Sequence, residues 1–495
     1  MANPKDIETI IVVMMENRSF DHMLGYLSLP DYGRDEVDGL RTEGNPLDPV
    51  WPPQFVLPGP HTPFRMPDAR KPVPNKMDPP HERPNIATQL GPLQTGPNGT
   101  TYPMKGFVQS FPGKMPVGTE NKAVVMGYFT GEDLPTTHFF AENFLICDHW
   151  FSPLPAGTQP NRLMAASGIS RLDLNRQGLM PEQTLVFKWL TDRKVRWRVY
   201  SEGIPFFSLM KSQWPAVFNP KLYRPFPNLA MDIKNEPATT FPQVIFVEPR
   251  YTNAPHVDTP HDDHAPSAVD GGQRFLMEVY AALTANPARW KKSVMVVTYD
   301  EHGGFFDHVS PPSIPTRAPG NEYTAFESLG VRVPAFVISP FVEPRSVYPH
   351  DMDHTAILQF LAERFGNGSY SPAVDARKNA GLESISATLS LVEARADIPP
   401  PPGLSQGFTT ATALPFDAMS QAFDKAFAGM NAQFPDKVSE RFPKLSGHFG
   451  QPVALKTPKK PVALKAPKKP VALKAAKKQA AAKPKKAGSK KKKKS

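Results

Sequence analysis

The stretch IIVVMMENRSFDHMLGYL, residues 10–27, decides the fold of this 495-residue chain. Its first six residues are all apolar, without alternation, which is typical of a strand buried on both faces of a parallel sheet. Such a strand usually ends in turn residues, but this one runs directly into Glu16 and Asn17. Because ligands of open α/β sheets bind beyond the carboxyl ends of the strands, the stretch predicts a central strand that ends in a functional site.

Four further runs share this unalternating, β-branched composition: 194–200, 241–248, 293–300 and 333–340. Helical patterns occur at 271–287 and 353–366. Strands of this kind separated by helices predict an α/β fold, doubly wound, with a mostly parallel sheet covered by helices on both faces. The proline-rich segment 47–103 is too long for an ordinary connection, and we predict that it is an excursion near the active site.

Composition divides the chain into a predicted catalytic domain (1–398), a small appendage (399–450) and a disordered tail (451–495). The tail holds 17 lysines and no acidic residue; removing them from the 57 basic residues of the whole chain leaves 40 basic against 47 acidic residues. Prolines in its PVALK repeats oppose a stable helix, and its like charges repel. We expect the tail either to bind an anionic membrane surface or nucleic acid, or to be only a solubilising extension.

Several classes of protein are excluded or disfavoured by the sequence. The single cysteine, Cys147, excludes an internal disulfide framework, so the fold does not depend on an oxidising compartment. No run of about 18 apolar residues is present, so no membrane-spanning helix is expected. The apolar run 10–15 is too short for a signal peptide, and we predict a cytoplasmic protein by default. No protein partner is indicated.

Polar ligands follow two of the predicted strands. Glu16 and Asn17 follow the first, while Asp300 ends the run at 293–300 and Glu301 comes directly after it. Adjacent carboxylates cost free energy unless a positive charge lies between them, and Glu, Asn and Asp oxygens suit a hard divalent cation. We predict one divalent metal ion here: Ca, Mg, Mn or, because histidines are near, Zn. The alternative is that these residues only cap strands or form salt bridges.

A third cluster is SPLPAGTQPNRLMAASG, residues 152–168. Thr158 precedes a helical pattern, and the start of a helix offers backbone N–H groups and the positive end of the helix dipole to a phosphate. Contact with a metal ion would lower the pKa of the hydroxyl and make it a nucleophile. The alternative is that Thr158 is an ordinary helix cap.

Histidines supply the fourth observation, since 12 of the 13 lie at or before residue 354. Several stand beside acidic residues or prolines, in DPPHE (78–82), HDDHAP (261–266), DHV (307–309) and DMDH (351–354). Histidine suits charge stabilisation, proton donation to a leaving oxygen, or metal binding. The residues alone therefore predict a metal-assisted hydrolase of anionic esters with a hydroxyl or water nucleophile. They do not distinguish phosphate esters from sulfate esters as the substrate.

These motifs also resemble those of a known family. ENRSFDH (16–22), DPPH (78–81), GTQPNR (157–162), EPR (248–250), DDHAP (262–266) and YDEHGGFFDHV (299–309) occur in the order found in the non-specific phospholipases C of bacteria and plants. That family also contains an acid phosphatase. The resemblance spans about residues 7–366, and it implies an alkaline-phosphatase-like α/β fold and phosphoester hydrolysis through a phospho-enzyme.

The resemblance also implies roles for particular residues. The metal ion would be held by Glu16, Asn17, Asp300 and Glu301, and Thr158 would be the nucleophile that also contacts it. The phosphate site would be lined by Asn161, His81, Asp263, His264 and His354. His354 or His264 would protonate the leaving alcohol, while His302 and His308 belong to the same motif and would lie further out.

The expected function is thus phospholipase C-type cleavage of phospholipids through a phosphothreonine. One alternative is a broad acid phosphatase of soluble phosphomonoesters, and another, of a different class, is a catalytically idle protein that tethers membrane or nucleic acid. Two features depart from the family pattern: the twin-arginine signal usual in its exported members is missing, and so are the C-terminal repeat domains of some bacterial members. These departures bear on lipid specificity and compartment more than on catalysis.

Overall fold

The structure is a computed structural model that describes residues 1–40, 54–55, 60–66, 78–97, 99–111, 123–256, 258–403 and 417–446. The predicted tail and much of the proline-rich excursion lie outside these described residues. Residues 1–448 form one compact unit. No helix in the described ranges is long and apolar enough to cross a membrane.

An eight-stranded sheet lies at the centre of the fold. Its strands are β1 (Thr9–Met15), β2 (Leu145–Cys147), β3 (Trp197–Ser201), β4 (Tyr223–Pro225), β5 (Val244–Glu248), β6 (Ser293–Tyr299), β7 (Ala335–Ile338) and β8 (Ser346–Tyr348). Their order across the sheet is β4-β3-β5-β1-β6-β7-β2-β8. All are parallel except β7, which is antiparallel to both of its neighbours. The predicted α/β class with a mostly parallel sheet is confirmed.

Helices surround this sheet. The longer ones are α1 (Arg83–Leu90), α2 (Pro135–Asn143), α3 (Thr158–Ser167), α4 (Val186–Asp192), α5 (Asn228–Asn235), α6 (Asp270–Thr284), α7 (Thr355–Phe365), α8 (Pro372–Asn379), α9 (Ala418–Gln433) and α10 (Pro435–Arg441). Single turns of α-helix are Phe20–Met23, Phe107–Ser110, Trp214–Val217, Pro287–Trp290 and Pro443–Ser446. Every residue of β6 is buried, and so is all of β1 except Met14. Because successive side chains of a strand point to opposite faces, both faces of these central strands are covered.

Short strand pairs lie outside the main sheet. They are Trp150–Phe151 with Met352–Asp353, Gln54–Phe55 with Pro60–His61, Phe64–Arg65 with Gly127–Tyr128, and Gln94–Gly96 with Gly99–Thr101. The 3-10 turns are Pro4–Asp6, Gly25–Ser28, Val124–Met126, Phe206–Leu209, Lys211–Gln213, Pro319–Asn321 and Ile385–Thr388. Helix α9 contacts the 3-10 turn at Phe206–Leu209 and belongs to the same compact unit as the sheet. The boundary that we predicted near residue 399 stays a prediction.

Candidate active site

The two predicted metal-binding strand ends lie side by side. Strands β1 and β6 are adjacent and parallel, with Met15 opposite Tyr299, so Glu16 and Asp300 leave the same edge of the sheet together. The backbone N–H of Asn17 donates to Asp300 Oδ1 over 3.2 Å. Glu16, Asn17, Asp300 and Glu301 are all fully or almost fully buried.

A strained turn brings Asn17 into the site. Its φ is 61°, in the left-handed region, and its carbonyl oxygen would be 2.2 Å from a Cβ atom placed on Gly303. Glycine at 303, with φ of 64°, is therefore required for this close approach. The Asn17 Nδ2 atom lies 2.9 Å from His264 Nε2 and 3.4 Å from His81 Nε2. The amide nitrogen of Asn17 thus contacts both imidazoles, while its Oδ1 has no hydrogen-bond partner among the described residues.

Four residues that were predicted to hold the metal ion each have a buried oxygen without a hydrogen-bond partner among the described residues: Glu16 Oε1, Asn17 Oδ1, Thr158 Oγ1 and Glu301 Oε1. Asp78 Oδ1 and Asp263 Oδ1 lack such a partner as well. A buried acceptor without a partner costs free energy, and four hard oxygens are the donor type that a divalent cation prefers. The residues present therefore fit a divalent cation. Asp300 differs, since its Oδ1 accepts from two backbone N–H groups and its Oδ2 from Arg162.

The pKa values of two histidines also indicate an excess of negative charge at this site. Burial lowers the pKa of His81, but Glu301 and Asp78 raise it more, to about 9. Burial likewise lowers the pKa of His264, and Asp78 and Glu16 more than offset it, so the net pKa is well above the ordinary value. Both shifts come from an excess of carboxylates around the two imidazoles. The same excess of negative charge favours a bound cation.

Arg162 is a site residue that sequence reasoning missed. Its Nε donates to Asp300 Oδ2 over 3.1 Å, and its Nη2 lies 3.3 Å from Glu16 Oε1. It also donates to the Met15 carbonyl and to the Tyr251 hydroxyl, each over 3.1 Å. Arg162 thus joins the ends of β1 and β6 to helix α3. Its signal in the sequence was its place at the end of the GTQPNR motif.

Thr158 is the first residue of α3, where Gly157 is the N-cap. Its hydroxyl caps nothing among the described residues, so the alternative role as an ordinary helix cap is not supported. The expected backbone N–H groups for phosphate are not offered by the next two residues, because the Gln159 N–H donates to Asn175 Oδ1 and Pro160 has none. The positive end of the helix dipole remains.

The structure gives Asn161 a different role from the one expected. Its side-chain oxygen accepts from the Leu154 N–H over 2.9 Å. Its amide nitrogen donates to the carbonyls of Ala156 and Gly157, over 2.7 and 3.1 Å. Because these bonds take up the amide on the chain's own backbone, Asn161 shapes the turn before Thr158 rather than lining the phosphate site.

Asp263 of the DDHAP motif was predicted to line the phosphate site. Asp263 accepts a hydrogen bond from the Tyr299 hydroxyl over 2.6 Å and packs so closely on Gly272 that a Cβ there would be 1.9 Å from its Oδ1. Its neighbour Asp262 instead groups with Glu16 and His264, with ligand atoms within 4.8 Å of one another. Asp262 therefore lies beside Glu16 and His264, and the role of Asp263 in the phosphate site stays a prediction.

Asp78 is a further residue that was not singled out, although it lies in the DPPH motif. It groups with His81 and His264 within 4.8 Å. Its Oδ1 lies 3.3 Å from His264 Nε2 and 3.6 Å from His81 Nδ1. His81 and His264, the two predicted histidines of the phosphate site, therefore lie together beside the Asp78 carboxylate.

His354, one of the two predicted proton donors, has both ring nitrogens in hydrogen bonds. Its Nε2 donates to the Asp300 carbonyl over 2.8 Å, and its Nδ1 accepts from the Trp150 indole over 3.0 Å. Burial lowers its pKa to about 4, so the ring is neutral and its one N–H is already used. His354 supports the end of β6, and of the two predicted proton donors only His264 has a raised pKa.

The remaining histidines of the YDEHGGFFDHV motif lie outside the cluster of ligand oxygens, as expected. His302 stands behind Glu301, with Nδ1 3.3 Å from Glu301 Oε2 and Nε2 2.8 Å from Gln89 Oε1. His308 belongs to a separate ion-pair group with Asp21, where the Arg332 guanidinium already supplies the positive charge. This second group therefore has a structural explanation.

Thr158, with its buried hydroxyl, lies one turn before Arg162, which bonds the ends of the two central strands at the carboxyl edge of the sheet, and this arrangement fits a hydrolase of anionic esters. The sequence matches the Phosphoesterase family over residues 7–367, and the chain belongs to that family. It is accordingly a hydrolase that acts on phosphoester bonds. The predicted family is confirmed.

Two relatives show the extent of this similarity. The chain is 35% identical over 388 residues to non-specific phospholipase C1 of Arabidopsis thaliana, covering 74% of this chain and 68% of the relative. It is 30% identical over 404 residues to phospholipase C A of Mycobacterium tuberculosis (strain ATCC 25618 / H37Rv), covering 73% of each. Among solved structures, a protein in the alkaline phosphatase superfamily from Vibrio parahaemolyticus has a TM-score of 0.29 at 11% identity, covering 49% of this chain and 62% of that one.

Proposed function

We propose that the chain is a metal-dependent phosphoesterase that cleaves phospholipids in the manner of a phospholipase C, through a phosphothreonine at Thr158. The observation that carries the proposal is the Thr158 hydroxyl, which is buried at the start of α3 and has no hydrogen-bond partner among the described residues. Phospholipids are supported as substrates by the names of the relatives, which are phospholipases C.

Four unpartnered oxygens, one each from Glu16, Asn17, Thr158 and Glu301, would hold the divalent cation. When bound, such a cation neutralises the negative charge of the phosphoryl group and lowers the pKa of the hydroxyl. Arg162 holds the ends of β6 and β1 in place, because it donates hydrogen bonds to Asp300 and to the Met15 carbonyl. Phosphoryl transfer depends mainly on such positioning and electrostatics.

The chain's own residues then carry the reaction. The Thr158 hydroxyl gives up its proton to solvent and its Oγ1 attacks phosphorus in line, while the bond between phosphorus and the diacylglycerol oxygen breaks. His264 is our candidate for its proton donor, because it lies between Glu16 and Asp78, 3.2 and 3.3 Å from their oxygens. Water then hydrolyses the phosphothreonine, and the same imidazole, now neutral, accepts the proton of that water.

The test uses the full chain against phosphatidylcholine vesicles and a chromogenic phosphate monoester. We expect wild type to release phosphocholine and diacylglycerol, Thr158→Ala to be inactive, and Thr158→Ser to keep part of the activity because it keeps the hydroxyl. Acid-quenched wild type should carry phosphate on the peptide that contains Thr158. A Thr158→Ala variant with near-normal turnover would refute the nucleophile, whereas activity on the monoester alone would favour a soluble phosphatase.

A further inference from the structure

We propose that helix α9 positions Thr158. Phe423 of α9 packs on Tyr251, which in turn holds Arg162. Met419 of α9 contacts Gln159, the residue next to Thr158. The inference rests on the proposed role of Thr158 as nucleophile. Helix α9 lies at residues 418–433, beyond the 7–367 span of the family match. It was assigned to a small appendage from the sequence.

The first link joins Arg162 to Tyr251. The Arg162 guanidinium donates to the Tyr251 hydroxyl over 3.1 Å, and its Cζ lies 5.0 Å from the centre of that ring. It also lies 4.9 Å from the centre of the Phe206 ring. These two aromatic rings therefore hold one side of the guanidinium, while Asp300 and the Met15 carbonyl hold the other.

The second link joins these rings to α9. Phe423, which is fully buried, stacks on Tyr251 with ring centres 5.7 Å apart and an angle of 27° between the planes. It meets Phe206 edge-on at 6.3 Å. A single side chain of α9 therefore packs against both rings that hold Arg162.

The third link acts on the residue next to the nucleophile. Gln159 donates through Nε2 to the Met419 sulfur over 3.3 Å. The start of α9 is itself tied to the body, because Asp417 caps the helix and its Oδ2 accepts from Asn253 over 2.6 Å. The first turn of α9 and the first turn of α3 are thus in direct contact.

These contacts matter because of the geometry of α3. Thr158 and Arg162 are four residues apart in one helix and so lie on the same face. Fixing Arg162 against Tyr251 and Asp300 therefore sets the position of Thr158 relative to the metal-binding strand ends. A misplacement of about 1 Å at a reacting group can reduce the rate by about a hundredfold.

The test compares two phenylalanines of α9 in the full chain. Phe423→Ala removes the ring that packs on Tyr251. Phe427→Ala is the matched control, since Phe427 is also buried, lies one turn further along α9 and has its ring 6.2 Å from that of Phe442. Phe423→Leu keeps most of the buried volume and serves if the alanine variant does not fold.

We expect Phe423→Ala to lower kcat about tenfold with KM within about twofold, because the nucleophile is displaced while substrate contacts remain. Phe423→Leu should show a smaller loss in the same direction. Hydrogen–deuterium exchange of the peptide that contains residues 158–164 should be about tenfold faster in Phe423→Ala than in wild type, and unchanged in Phe427→Ala.

Equal effects of the two alanine variants on kcat and on exchange would overturn the inference, as would wild-type exchange in Phe423→Ala and Phe423→Leu. The exchange measurement does not depend on turnover. A wild-type chain without phosphoesterase activity would therefore refute the proposed function while the exchange still decides whether α9 positions α3.

Discussion

Replacing Thr158 by valine tests two effects of its hydroxyl separately: its role in turnover and its effect on the free energy of unfolding. Valine keeps the β-branched shape and has a similar helix propensity. The Thr158 Oγ1 is buried without a partner in the described part of the chain, and an unmade hydrogen bond of this kind costs about 1–3 kcal/mol. Thr158→Val should therefore abolish turnover and yet raise the free energy of unfolding of the metal-free protein by about 1–2 kcal/mol.

Thr355 provides the matched control. It is also a fully buried threonine at the first position of a helix, α7, but its hydroxyl donates to the Asp353 carboxylate. Thr355→Val leaves that acceptor with one partner fewer and removes a hydrogen bond to a charged group. The same substitution should here lower the free energy of unfolding by about 1–3 kcal/mol.

Both variants are compared with wild type by urea unfolding in the presence of EDTA, and by turnover of a phosphate ester without EDTA. The structure requires that Thr158→Val raises the free energy of unfolding and that Thr355→Val lowers it. Loss of stability in Thr158→Val equal to that in Thr355→Val would show that the Thr158 hydroxyl has a partner in solution. Turnover above about a hundredth of wild type in Thr158→Val would refute its role as nucleophile.

Three further predictions concern the metal-binding set, its support and the tail. Glu301→Gln should lower the divalent metal content after dialysis, measured by elemental analysis, because a neutral amide replaces an unpartnered carboxylate oxygen. Arg162→Met should lower the free energy of unfolding in EDTA by about 3–5 kcal/mol, since it leaves two buried carboxylates uncompensated. The control Arg171→Met, at an exposed ion pair, should not change it measurably. Deleting the chain beyond residue 450 should abolish binding to anionic vesicles in a sedimentation assay and leave hydrolysis of a soluble ester intact; loss of that hydrolysis would contradict the domain division.

The ends of the two central strands were predictable because burial on both faces leaves an unmistakable apolar run. Glu16 and Asp300 follow such runs at Ile10–Met15 and Ser293–Tyr299. Direction was not predictable, since the run at 333–340 has the same composition but forms the antiparallel strand β7. The pattern of apolar residues shows that a strand is buried, but it does not show whether the strand is parallel or antiparallel to its neighbours.

Roles within the site were harder to predict, because they depend on backbone turns and on distant partners. Asp262 and Asp263 are adjacent carboxylates, and a left-handed φ of 71° at Asp263 accompanies the turn that puts only Asp262 beside His264. His354 was predicted as a proton donor from the resemblance to the family. Its two ring nitrogens are occupied by Trp150 and by the Asp300 carbonyl, 204 and 54 residues away.

Arg162 and the proposed cation would share the compensation of one carboxylate cluster. Arg162 forms hydrogen bonds to Asp300 Oδ2 and to the backbone at the end of β1, beneath the site. It approaches Glu16 Oε1 at 3.3 Å without forming a hydrogen bond, and Glu301 Oε1 has no hydrogen-bond partner in the described ranges. Because part of the negative charge is compensated by the chain itself, the site can fold before metal binds. The oxygens left unpartnered then make metal binding favourable, and the bound ion adds its binding free energy to the stability of the native state.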